Sequence, residues 1–148
     1  MSFLTSKNFE METKKITIHA TVLADSQKAW DYYTQPEHIT QWNFASEDWQ
    51  CPTASNDLKV GGKYIARMEA KDGSFGFDFE AIYSEIEIGE SFLYSMPNGR
   101  EVKVTFESRG NQTEITVTFD AETQHSIEMQ KNGWQAILNN FKTYAETH

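Results

Sequence analysis

A chain of 148 residues falls within the size of one domain and can bury one substantial core. Its hydrophobic content of 39% is ordinary, whereas an aromatic content of 14% supplies unusually large apolar surfaces. The net charge of −9 opposes a phosphate backbone and anionic lipid head groups, and a single cysteine forms neither an internal disulfide nor a thiolate cluster.

Residues 1–13 show no periodicity and read as a flexible leader, followed by one domain over residues 14–148. No apolar run has the form of a signal-peptide core or the ~18 residues of a membrane span, so the expected location is cytoplasmic, without membrane insertion.

Lys14 to Val22 alternates, with Ile16, Ile18, Ala20 and Val22 on one side, which predicts a strand buried on one face. Asp25 is placed to cap a short helix that turns Ala29, Trp30 and Tyr33 inward. Pro36 suits the first position of a second short helix, with Ile39 and Trp42 as its apolar edge.

A strand is predicted over Glu47 to Cys51, then a loop through Pro52, Ser55 and Asn56. Gly61-Gly62 precedes the strand Lys63 to Ala70, and Lys71-Asp72-Gly73 marks a hairpin turn. In the next segment Phe75, Phe77, Phe79, Ala81 and Tyr83 alternate with polar or small residues. Three more strands follow, with turns at Pro97-Asn98-Gly99 and Gly110-Asn111. From Asn132 to Glu146 the apolar residues Trp134, Ile137, Leu138, Phe141, Tyr144 and Ala145 recur at the spacing of one helix face.

The order is strand, two helices, six strands, long helix: an α+β chain with seven strands. Short turns between consecutive strands require antiparallel pairing. One helix is ~10 Å wide, and seven strands at ~4.8 Å spacing are much broader. The sheet must therefore curl around the last helix and leave a wedge between them.

Several stretches resemble one family. Ala29 to Trp42 (AWDYYTQPEHITQW), Asn56 to Met68 (NDLKVGGKYIARM) and Gly133 to Phe141 (GWQAILNNF) are similar, in this order, to motifs of the heat-shock-protein ATPase activator-like group of the START-like (SRPBCC, birch-pollen-allergen-like) superfamily. The resemblance implies a helix-grip fold with a hydrophobic cavity. It leaves the function open among lipid and hormone binders, cyclases and co-chaperone domains. Asn43 stands where many members carry Trp or Phe.

The residues suggest little chemistry. His19, His38, His125 and His148 are scattered without metal-ligand spacing, so no metal or cofactor is expected. Gly61-Gly62 precedes a strand, which is wrong for a phosphate loop. Asp78 and Glu80 alternate with phenylalanines and should face water. His38 and the tyrosines are the only candidate acids or bases, and no catalytic set is assigned. The hydroxyls of Tyr64, Tyr83 and Tyr94 suit a ligand carbonyl or hydroxyl.

The leading expectation is binding of a small hydrophobic or aromatic molecule, with Trp42, Trp49, Met68, Phe77, Phe79, Tyr94, Trp134 and Leu138 lining the cavity. A cyclase or hydrolase acting on an aromatic polyketide-like substrate, and a co-chaperone-like module binding a protein partner, are the alternatives. Nucleic acid is not an expected partner.

Overall fold

The computed structural model describes residues 14–148; the predicted leader lies outside the described residues. Strand β1 (Lys15–Val22) buries every second side chain, as its alternation requires. The Asp25 carboxylate caps α1 (Ser26–Thr34) by accepting from the Lys28 N–H at 2.9 Å. Pro36 opens α2 (Pro36–Trp42), where its missing N–H is not needed.

Then come β2 (Trp49–Gln50), β3 (Ala54–Asn56), β4 (Lys63–Ala70), β5 (Gly76–Glu87), β6 (Ser91–Ser95), β7 (Glu101–Arg109) and β8 (Gln112–Asp120). The chain closes with α3 (Ile127–Thr147).

The sheet runs β1-β8-β7-β6-β5-β4-β2, antiparallel throughout, and curls as a half-barrel around α3. It is seven strands wide, as expected. The segment predicted as one strand over Glu47 to Cys51 differs in detail. It is β2 alone, and β3 follows as a second short piece on the same edge of β4, inside the predicted loop. Pro52 between them has no N–H to give to the ladder, so pairing is interrupted there.

A bulge in β5 sets which residues point inward. Tyr83 pairs with Tyr94 and Glu85 with Leu93, so the register slips at Ser84. Before the slip odd-numbered residues face the core; after it Ile86 does, opposite Phe92. The extra residue also bends the long strand and strengthens the curl.

Helix α3 starts five residues before the predicted stretch. The Ser126 hydroxyl caps it, accepting from the Met129 N–H at 3.0 Å. The buried Gln130 amide binds the carbonyls of Glu122 and His125 and the Glu122 N–H. Polar residues thus build the first turns, where an apolar spacing gives no signal.

The position of α3 over the sheet is set by hydrogen bonds to the free edge of β1. Gln135 and Lys142 donate to the carbonyls of His19 and Thr21 at 3.0 and 2.6 Å, and Glu146 accepts the Leu23 N–H at 2.8 Å. An exposed edge strand is thereby capped by a helix. The same tether holds the helix toward one side of the sheet and leaves the β4–β5–β6 side less covered.

Candidate functional site

A cavity of about 170 Å³ lies between α3 and the sheet. Its floor is formed by Ile18 and Val117 at the tethered side and by Tyr64, Met68, Phe79 and Tyr94 on the other. Trp134, Ile137 and Leu138 of α3 form the roof. The end wall carries Tyr33, Trp42 and Asn43, with Asn56 and Tyr83 beside them. Phe77 stands at the rim, 42% exposed, because β5 runs past the core on its way to the hairpin turn.

The walls are built of rings packed on rings. Trp134 stacks on Phe119 with centroids 4.0 Å apart and planes 11° from parallel. Tyr64 and Tyr94 are stacked at 5.7 Å, and Phe79 meets Tyr94 at 6.0 Å. Such offset and edge contacts hold each ring in one rotamer.

Of the eight residues predicted to line the cavity, Trp42, Met68, Phe77, Phe79, Tyr94, Trp134 and Leu138 border it. Trp49 does not. Its cross-strand partner is Ala70, one inward-facing position beyond Met68 at the hairpin end of β4. The Trp49 ring therefore lies past the rim, 6.1 and 6.4 Å from the rings of Phe75 and Phe77. Cys51 is buried but lies outside the lining.

Two amides were missed as site groups. Asn56, assigned to a loop, faces inward opposite Tyr64 on β4. Its carbonyl oxygen accepts the Tyr83 hydroxyl at 2.8 Å, and its amide donates to the Thr34 carbonyl at 2.7 Å, joining the sheet to α1. Asn43 brings an amide to the end wall. Its Nδ2 lies 3.5 Å from the Tyr64 hydroxyl and 3.4 Å from the Met68 sulfur.

Among the described residues no Asp, Glu, Lys, Arg or His lines the cavity. Burial pushes the Tyr64 and Tyr94 phenols well above their ordinary range; the Cys51 thiol and then Tyr33 and Tyr83 add to this for Tyr64, and Tyr64, Tyr33 and Tyr83 add to it for Tyr94. Burial raises Tyr83 to about 12, against the opposing bond to Asn56. Burial and then Tyr83 raise Tyr33. All four phenols are neutral hydroxyl groups at any physiological pH.

This has an alkaline consequence. A phenol raised in the folded state stabilises the fold fully below the unfolded value near 10, and that contribution is lost as pH rises through the folded value. For Tyr83 the window runs from ~10 to about 12. In a titration followed by phenolate absorbance, four of the six tyrosines are expected to ionise only as the protein unfolds. All six ionising with the fold intact would contradict the burial.

His38 is placed elsewhere. Its ring stacks on Tyr32 at 3.9 Å and its Nδ1 is 2.7 Å from the Tyr144 hydroxyl, fastening α2 to the end of α3. Asp78 pairs with Arg67 and Glu80 with Lys63, away from the cavity. Among the described residues no three His, Cys, Asp or Glu side chains come together as a metal site, and no helix is long and apolar enough to cross a membrane.

Residues 24–146 match the family described as activator of Hsp90 ATPase homolog 1-like protein. No curated protein matches. The solution structure of an AHSA1-like protein from Aeromonas hydrophila is 42% identical, with a TM-score of 0.85 over 90% of this chain and 93% of that one. A solution structure from Cytophaga hutchinsonii is 44% identical, with a TM-score of 0.78 over 90% and 92%. A Chromobacterium violaceum protein at 18% identity and a TM-score of 0.80, over 89% and 96%, shares the fold.

Proposed function

The chain belongs to the activator of Hsp90 ATPase homolog 1-like family of the START-like superfamily, and from that premise we propose that it binds a small, uncharged, mainly apolar molecule beneath α3. The observation that carries this reading is the cavity itself, about 170 Å³ of space walled by rings and, among the described residues, free of charged side chains. An apolar cavity of about 150 Å³ is enough to admit benzene. The space suits one or two rings; a sterol or a diacyl lipid would require α3 to move.

The cyclase or hydrolase alternative needs an acid or base poised near neutrality. The lining offers amides and phenols held neutral, and His38 is bonded to Tyr144 outside it. A protein-binding role has its support in the family description alone.

Native mass spectrometry of the protein as purified, with melting curves in the presence of one- and two-ring aromatics, a sterol and a fatty acid, tests the proposal. A ligand at a hundred times its Kd stabilises the native state by about 2.7 kcal/mol. For a chain of this size that raises Tm by roughly 5–10 °C. No bound mass and no shift with any compound would count against binding.

A further inference from the structure

We infer that the ligand is a one- or two-ring aromatic compound carrying an uncharged oxygen acceptor, such as a ketone or aldehyde, which receives hydrogen bonds from the hydroxyls of Tyr33 and Tyr94. This rests on the proposed binding function and narrows it to a chemical class.

The four phenols of the cavity are not equivalent. The Tyr83 hydroxyl donates to Asn56 at 2.8 Å, and the Tyr64 oxygen faces the Asn43 amide at 3.5 Å. The hydroxyls of Tyr33 and Tyr94 have no partner among the described residues, although Tyr94 is more than nine-tenths buried. Neither is sealed into packed side chains. Among the described residues the fully enclosed polar side-chain atom without a partner is Arg100 Nε, so both phenol oxygens still meet free space. Both residues line the cavity, Tyr94 buried and Tyr33 partly buried.

Buried polar groups in folded proteins are almost always hydrogen-bonded. Two donors opening into an apolar cavity call for an acceptor brought by the occupant. The flat walls, with Trp134 locked on Phe119 and Tyr64 parallel to Tyr94, favour a planar body for it. A carboxylate ligand fits poorly. It would lie in an apolar cavity without a cation to pair with, in a protein of net charge −9. The raised phenol pKa values report the same resistance to negative charge.

Three probes of similar size separate the possibilities: ethylbenzene, acetophenone and benzoate, titrated calorimetrically at pH 7.5 into the intact protein. Acetophenone is expected to bind at least tenfold tighter than ethylbenzene, and benzoate at least tenfold weaker than either. Tyr94→Phe and Tyr33→Phe should each reduce the preference for acetophenone over ethylbenzene about threefold or more, and the double variant should erase it. Because these hydroxyls bond no protein group among the described residues, both variants should melt at or above the parent temperature. If ethylbenzene binds and acetophenone gains nothing, or benzoate binds tightest, the acceptor class is wrong while the binding function stands. A preference that survives in the double variant overturns the roles of the two tyrosines. Binding of none of the three overturns this inference, and the proposed function falls with it only if the wider panel of compounds also gives no bound mass and no shift.

Discussion

Phe141→Ala is expected to destabilise the protein by about 3–5 kcal/mol, the usual range for deleting a fully buried aromatic ring. A typical domain has only ~5–15 kcal/mol in total. Phe141 is completely buried, and its ring meets Trp42 and Tyr33 edge-on at 5.0 Å each. Those partners come from α2 and α1, so one side chain of α3 joins all three helices. Tyr33 is itself packed against Trp42, Phe92 and Phe106, which limits how far the site can collapse into the vacated space. At roughly 2–4 °C per kcal/mol, Tm should fall by on the order of 10 °C, as read by calorimetry. A drop of only a degree or two would mean that α3 is not anchored there.

Ile137→Trp is expected to do the reverse, leaving stability nearly intact and removing binding. Ile137 lies one turn before Phe141 but is only half-buried and borders the cavity. A residue facing a void already lacks neighbours on that side, so added atoms can enter free space without displacing packed groups. An indole ring would occupy most of a space of about 170 Å³. The ligand-induced rise in Tm should vanish and affinity should fall at least tenfold, while the melting temperature of the free protein shifts by only a few degrees. A variant that binds as tightly as the parent would place the ligand elsewhere. Together the two substitutions contrast a solid part of the helix interface with a hollow part a single turn away.

Much of this arrangement could be read from local pattern. Strand β1, the paired short helices with Asp25 and Pro36 at their starts, the hairpins at Gly73, Gly99 and Gly110, and the apolar face of α3 each follow from residues within a few positions of one another. Period-two and period-3.6 burial and a few turn residues carry that information. The curled sheet followed from a count, since seven strands are too broad for one helix to cover. Seven of the eight expected lining residues border the cavity for the same reason: inward alternation is a local property.

The misses share a cause. Trp49 has the right face and the wrong distance along it, because its partner is Ala70 and not a residue nearer the middle of β4. Asn56 looked like a loop residue until pairing with Tyr64 made it part of the wall. The inward turn of Ile86 depends on a bulge at Ser84 that only the register with β6 defines.

By itself, then, the sequence determined the elements, their order, the sign of the surface and the aromatic character of the interior. Whether the interior is filled or hollow was decided only in three dimensions. That outcome depends on Gln135, Lys142 and Glu146 of α3 meeting the backbone of β1 more than a hundred residues earlier in the chain. Periodicity reports which way a side chain points; how far the facing surface stands from it is a property of tertiary contacts, and the cavity is made of that distance.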